Sequence, residues 1–331
     1  KWHMPEPYPS DGIPGFEVLN KTSRQRKLAH DVDEATMNAA IEYLQRPHEK
    51  PFLLVASFIN PHDICLLAGE DSPLFEDVRE RYKAPAEAEL PPLPANFAPP
   101  AGGPDKKVRL HEAWDETQWR RYRYAYYRMV EDVDRQVGQL MDALRKAGLE
   151  ENTIVVFTSD HGEGLGCHRW TGKMMFYEEE VAVPLVVSWK GVTPAGRIDR
   201  QHLVSTVDVL PTICDYAGVK PPDVVRGRSL RGVIEKPDQP GAECVFSEMA
   251  AAGMGGAGRS FMARTTKYKY MTFPQPREGR FEMLFDLEAD PGEMKNLAGE
   301  AGLAGELERH RKLLAEWNQA TEETACPIQT N

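Results

Sequence analysis

The stretch TIVVFTSDHGEGLGCHRWTGK, Thr153–Lys173, decides the fold, because an apolar segment runs directly into a polar, glycine-rich one. Every residue from 153 to 158 is apolar or β-branched, which is typical of a buried strand. Asp160 and His161 follow at once. In open parallel sheets, ligands bind beyond the carboxyl ends of the strands. The sequence therefore predicts that Asp160 and His161 lie at the rim of a sheet.

Strands and helices alternate along the first two thirds of the chain. Residues 52–58 and 184–189 are apolar-rich runs that suit strands covered on both faces. Helical apolar spacing predicts helices over 33–46, 115–147 and 208–216. Asp33 is the predicted N-terminal cap of the first helix, and Gly148 follows the second. This alternation predicts an α/β fold, with a mostly parallel sheet sandwiched by helices.

The composition changes after residue 236. Short strands joined by glycine-rich turns are predicted over 244–248, 259–273 and 280–286, and an amphipathic helix over 302–319. These elements predict a smaller C-terminal α+β subdomain with a small antiparallel sheet and a terminal helix. We therefore predict two domains, a catalytic α/β domain over 1–236 and the subdomain over 237–331.

Composition excludes several classes of protein. Lys and Arg number 40 against 51 Asp and Glu, a net charge of −11, which argues against nucleic-acid binding. No run of about 18 apolar residues predicts a membrane span. The five cysteines form no CxxC pair, which argues against a zinc knuckle. Because the chain opens at Lys1 rather than at a methionine, the sequence does not reveal a targeting signal.

The pair Asp160–His161 has two interpretations. A carboxylate oxygen and an imidazole nitrogen together suit a divalent cation. Asp-His-Gly is also a good turn, in which the histidine is merely solvated. These residues alone leave both interpretations open.

Five segments occur in an order and spacing that point to one family. They are Lys1–His3, Asn60–Asp63, Ser159–Gly162 with Lys173, Val207–Thr212, and the run from Leu284 to Leu297. Together they resemble type I sulfatases, the formylglycine-dependent branch of the alkaline-phosphatase-like superfamily. The resemblance covers nearly all of the chain, and no single segment decides it.

The resemblance implies a role for each matching residue. It implies that Asp160 and His161 bind calcium or magnesium. It also implies four catalytic residues: Lys1, His3, His62 and Lys173. The two lysines would stabilise the negative charge of a sulfuryl group. His62 or Lys173 would protonate the departing alcohol, and His3 would act on the hydrated aldehyde nucleophile.

The loop between Asp160 and Lys173 offers further candidates. His168, Arg169 and Trp170 are expected to contact the substrate, with ordinary surface positions or a covering role for Trp170 as the alternatives. The acidic run Glu178–Glu180 is interpreted as the solvated start of a helix or loop.

Two family features are missing from the sequence. None of the five cysteines stands in the nucleophile motif C-x-P-S-R, and no adjacent Asp-Asp pair occurs. The simplest account is that about the first hundred residues, enough for the missing βα units, precede Lys1. We therefore expect the formylglycine in that segment, and no turnover of sulfate esters by this chain alone.

The expected function is hydrolysis of a sulfuric ester, with a sulfated carbohydrate or another small sulfated compound as substrate. Two alternatives stay open: a phosphodiesterase or phosphonate monoester hydrolase on the same scaffold, or a non-catalytic truncated relative. The resemblance also implies export to the periplasm or the medium. Neither the oligomeric state nor the substrate follows from the sequence.

Overall fold

The computed structural model describes residues 15–22, 27–69, 73–104, 111, 113–250, 258–275 and 279–322. Lys1 and His3 lie outside the described residues. The chain divides into two compact units, Lys1–Leu93 with Glu112–Thr153, and Pro94–His111 with Ile154–Asn331. This division differs from the sequence boundary at 236/237, which stays a prediction.

Four helices make up the described part of the first unit: α1 Ala29–Leu44, α2 Ile64–Ala68, α3 Phe75–Arg81 and α4 Glu116–Lys146. Helix α1 packs against α4, and α2 packs against α3 and α4. The buried faces are apolar, with Met37 and Leu44 on α1 and Met129 and Leu144 on α4. Burial of these faces stabilises the unit through the hydrophobic effect.

Local capping chemistry sets the ends of α4. The Asp115 carboxylate accepts the Gln118 N–H at 2.8 Å, and the Gln118 side chain accepts the Asp115 N–H at 2.9 Å. Past the other end, Gly148 adopts a φ of +72°, the left-handed conformation that closes a helix. The helix predicted over 115–147 is confirmed.

Two predictions for the first unit are wrong. Helix α1 begins at Ala29, and Asp33 does not cap it: its buried carboxylate accepts the N–H groups of Ile59 and Asn60 at 2.6 and 2.9 Å. Residues 52–58 are not a strand, and no described strand pairs with them. Leu53 is 57% exposed. An apolar sequence alone therefore does not make a strand, which also needs burial and hydrogen bonds to a neighbouring strand.

From residue 154 onward, the second unit starts with a pair of strands and three helices. Strands β1 Val155–Thr158 and β2 Leu185–Ser188 pair antiparallel, with Thr158 opposite Leu185. The sequence predicted parallel strands here. The chain between them instead folds back through α5 Glu178–Val181, so that β2 runs opposite to β1. The helix predicted over 208–216 is confirmed as α6, Val209–Ala217, and α7 Arg231–Glu235 follows.

The rest of this unit is an antiparallel sheet with a terminal helix. The strands, in spatial and chain order, are β3 Val245–Ala250, β4 Arg259–Arg264, β5 Tyr268–Gln275 and β6 Gly279–Asp286. The single strand predicted over 259–273 is two strands, because a turn closes between the Thr265 N–H and the Tyr268 carbonyl at 2.9 Å. Helix α8, Ala304–Glu322, packs against β4.

Both faces of this four-stranded sheet are covered. One apolar cluster combines Leu284 and Tyr270 of the sheet with Leu307 and Leu314 of α8. The other cluster combines strand residues with the segment 170–177, which follows the predicted metal pair. Its buried members are Trp170, Met175, Phe176, Tyr177, Met262, Met271, Phe273, Met283 and Phe285. One face of the sheet therefore packs against segment 170–177 of the loop after β1.

Candidate active-site loop

The geometry of Asp160 and His161 suits a cation. The Nδ1 atom of His161 lies 2.8 Å from the Gly162 carbonyl oxygen. Since a carbonyl only accepts, Nδ1 carries a proton, which leaves Nε2 as the nitrogen that can bind a cation. That Nε2 lies 3.6 Å from Asp160 Oδ2. One nitrogen and one carboxylate oxygen thus stand side by side, a donor set that fits a divalent cation.

The carboxyl of Asp160 is available in its charged form. Partial burial raises its pKa, whereas the charge of His161 and the His161 N–H, which donates to Oδ1 at 3.1 Å, lower it. The net pKa lies below the ordinary value. With 42% of the side chain exposed, this carboxylate combines ionisation with access.

Two glycines of the loop allow close backbone contacts. The Gly162 N–H donates to the Glu180 carbonyl at 2.7 Å, and a Cβ at Gly162 would lie 2.0 Å from the Glu179 carbonyl oxygen. A Cβ at Gly164 would lie 2.5 Å from Trp170 Cδ1. The two glycines therefore let the backbone of the loop approach α5 and Trp170.

The middle of the loop is strained. Non-glycine residues with positive φ, an uncommon conformation, concentrate here. They are Leu165, His168, Arg169, Met174 and Phe176. Such residues persist only where the surroundings hold them, which is typical of functional sites.

The three predicted substrate contacts differ in exposure. His168 is 4% exposed and stacks on the Tyr177 ring at 3.9 Å, and burial lowers its pKa to about 4. Trp170 is 5% exposed, within the apolar cluster below the loop. These two side chains pack the loop against its own unit. Arg169 is partly exposed, and its guanidinium lies over the Phe97 ring at 5.2 Å. Arg169 is therefore the one of the three that we retain as a substrate contact.

A second cluster, His168 with Glu179 and Glu293, brings potential ligand atoms within 4.8 Å of one another. A cation is already present beside it, because Lys269 Nζ lies 2.9 Å from Glu293 and 2.6 Å from Glu178. Lys269 is fully buried and pairs with the buried Glu293 and the partly exposed Glu178. This cluster is a structural ion-pair network.

Sequence reasoning missed the buried acids of this unit. Glu163, Glu180 and Glu293 are 7%, 3% and 1% exposed. The run Glu178–Glu180 is thus not a solvated start, because Glu180 points inward. The D-P-G-E segment ending at Glu293 was the one signal in the sequence that could have identified any of them.

His62 belongs to the first unit and is anchored there. The Asn60–Asp63 turn follows residues 52–58, and Asp33 accepts the N–H groups of Ile59, just before the turn, and of Asn60. The Asp63 carboxylate, 1% exposed, accepts the Ala29 N–H at 2.6 Å. The turn that carries His62 is therefore fixed to the start of α1.

The chain has the α/β fold of the alkaline-phosphatase-like class. Residues 6–219 match the family model Sulfatase, and residues 166–320 match the model N-sulphoglucosamine sulphohydrolase, C-terminal. The chain belongs to the sulfatase family. The family and the alkaline-phosphatase-like fold class expected from the sequence are confirmed, whereas the strands that the structure describes in named sheets pair antiparallel.

Relatives of known structure or activity support this assignment. A Delta 4,5-hexuronate-2-O-sulfatase of Bacteroides thetaiotaomicron is 33% identical over 86% of this chain and 60% of its own length. The structure of a 2-O GAG sulfatase is 30% identical, with a TM-score of 0.75, covering 89% of this chain and 64% of that one. A phosphonate monoester hydrolase of Agrobacterium radiobacter, at 22% identity and a TM-score of 0.68 over 96% of this chain and 65% of that one, shares the fold.

The chain spans about 60% of the length of the curated relatives it matches first. None of the described helices is long and apolar enough to cross a membrane.

Proposed function

We propose that the protein containing this chain is a sulfatase that removes sulfate from a carbohydrate. The observation that carries the proposal is the 3.6 Å approach of Asp160 Oδ2 to His161 Nε2 directly after β1, with Nδ1 of His161 hydrogen-bonded to the Gly162 carbonyl. The relatives support the substrate class, since one acts on a 2-O-sulfated hexuronate and another is a 2-O GAG sulfatase.

Asp160 and His161 would hold a calcium or magnesium ion. The ion, when bound, supplies positive charge that stabilises negative charge developing on the sulfuryl oxygens. Oxygen-rich sites suit both ions, and the chain contributes one oxygen and one nitrogen donor from these two residues.

The remaining residues have proposed roles in moving charge and protons. The ammonium groups of Lys173 and Lys1 offset charge on the sulfuryl group. His62 or Lys173 gives a proton to the departing alcohol oxygen, and His3 takes one from the nucleophile. The nucleophile is a formylglycine, and no cysteine of this chain stands in the motif that yields one. Arg169 contacts the sugar.

Sulfate release from a 2-O-sulfated uronate disaccharide tests the proposal. The full-length protein should release sulfate, and the same protein should hydrolyse a phosphonate monoester at least about 100-fold less efficiently. A higher kcat/KM for the phosphonate would favour the other hydrolase. Absence of turnover together with retained binding of the disaccharide would favour a non-catalytic relative.

Replacement of Asp160 tests the metal site in the same protein. Asp160→Ala should weaken calcium binding at least about tenfold by calorimetry, because a charged ligand is lost. Asp223→Ala is the matched control, since that carboxylate is 87% exposed and pairs only with Lys220 at 2.7 Å among the described contacts. Unchanged calcium affinity in Asp160→Ala removes this residue from the ligand set.

A further inference from the structure

The backbone around Lys173 is held from both sides by buried carboxylates. The Gly172 N–H donates to Glu163 Oε1. On the other side, the N–H groups of Met174 and Met175 donate to Glu180 Oε2 at 2.5 and 2.9 Å. Lys173 itself is partly exposed. The backbone from which the Lys173 side chain projects is therefore held by hydrogen bonds on both sides.

These side-chain acceptors take the place of the backbone acceptors that a helix or strand would provide. Residues 171–177 belong to no helix or strand, so their N–H groups have no ladder to join. Burying a carboxylate is costly unless it accepts hydrogen bonds, and Glu180 is 3% exposed. The acids thus supply acceptors to N–H groups of the loop that an apolar core residue would leave unpaired.

The two acids are joined to each other and to the predicted metal pair. The Gly162 N–H donates to the Glu180 carbonyl at 2.7 Å, and the Glu163 N–H to the Glu179 carbonyl at 3.0 Å. Glu163 stands two residues after His161 in the same segment. These hydrogen bonds consequently connect the segment that follows the Asp160–His161 pair with the backbone around Lys173.

We infer that Glu163 and Glu180 are positioning residues that set where the Lys173 ammonium lies relative to the Asp160–His161 pair. The inference rests on the proposed function, in which Lys173 acts on the sulfuryl group or the leaving oxygen. Displacing a catalytic group by about 1 Å costs up to about 100-fold in rate, so removal of either acid affects catalysis without touching substrate.

A double-mutant cycle in the full-length protein tests the inference. Glu180→Leu should lower kcat at least about tenfold on the sulfated disaccharide and change KM less than about threefold. Glu180→Gln, which keeps an acceptor oxygen, should recover most of the rate. In a Lys173→Ala background, Glu180→Leu should cost less than about twofold more, because both changes act through one group.

Asp208→Leu is the matched control. Asp208 is also a buried carboxylate of this unit, 6% exposed, and it accepts the N–H groups of Ser205 and Arg228, each at 2.9 Å. Its replacement should lower the melting temperature and leave kcat within about twofold of wild type. Glu163→Leu enters the same cycle, so that misfolding of one variant does not end the test.

Two results overturn the inference: additive losses in the cycle, or a lowered melting temperature with unchanged kcat in both acid variants. The position of Lys173 can also be followed without turnover, by the NMR chemical shift of its ¹³Cε. This resonance is assigned by its disappearance in Lys173→Arg. It should move toward the value of a solvated lysine in Glu180→Leu but not in Asp208→Leu. If wild type releases no sulfate, the proposed function fails, and this resonance still decides the positioning.

Discussion

A single backbone contact determines what His161 offers to a ligand. Its Nδ1–H donates to the Gly162 carbonyl, so Nε2, the nitrogen left for a ligand, is the one beside Asp160. Ligand histidines in metal sites commonly use one nitrogen in this way to orient the other. The sequence showed the pairing of residue types, whereas the tautomer follows only from the fold of the loop.

His168 is predicted to stay neutral across the physiological range. Burial lowers its pKa to about 4, and the Glu179 carboxylate at 3.8 Å does not offset this. The Hε1 resonance of His168 should therefore be flat between pH 5.5 and 8 by NMR. His202 is the control, because its hydrogen bond to Asp199 raises its pKa above the ordinary value. A His168 midpoint above pH 6 would contradict the buried, neutral ring.

Gly162→Ala is expected to destabilise the second unit. The new Cβ would lie 2.0 Å from the Glu179 carbonyl oxygen, so backbone must move. We expect a loss of about 1–3 kcal/mol in the free energy of unfolding, measured by urea denaturation. Gly138→Ala in α4 is the control, because nothing lies within 4 Å of its Cβ and alanine favours a helix by up to about 1 kcal/mol. Equal effects of the two changes would exclude the steric explanation.

The free energy of unfolding should depend on pH through Glu180, which lies between β1 and β2. Burial raises the pKa of this carboxyl to about 8 from an ordinary value near 4.5. The folded state therefore holds a proton that the unfolded state releases, and the stabilisation present below pH 4.5 is lost as the pH rises to about 8.

Glu180→Gln removes this titration. The stability of wild type relative to the variant should fall between pH 5 and 8, by at most about 1.4 kcal/mol per pH unit for one proton. Chemical denaturation at several pH values measures the difference. A constant difference across this range would mean that Glu180 is not protonated in the folded state.

Elements were predictable where their causes are local. The ends of α4 follow from Asp115, Gln118 and Gly148, which act within a few residues of the helix. Strand pairing was not predictable, because it depends on segments far apart in the chain. For this reason the antiparallel β1–β2 pair and the run 52–58, in which Leu53 and Val55 are exposed, departed from expectation.

At the scale of the molecule, the sequence indicated the family and the residues whose side chains carry chemistry. Asp160, His161 and Lys173 matched motifs, whereas Glu163 and Glu180 matched none that we used. Both acids act on backbone N–H groups, and such a role leaves no pattern of spacing in a single sequence. Their burial, which only the packed unit provides, distinguishes them from surface acids.

The 331-residue chain by itself is predicted to release no sulfate from a sulfate ester. Transfer of the sulfuryl group needs an activated nucleophile, and none of the five cysteines stands in the motif that yields formylglycine. The chain should nevertheless fold, since both units have apolar cores. Activity should appear in the product of the longer reading frame if a C/S-x-P/A-x-R segment lies upstream. Chromatographic assay of free sulfate on both proteins, matched by circular dichroism, decides the point, and turnover by the 331-residue chain would place the nucleophile within it.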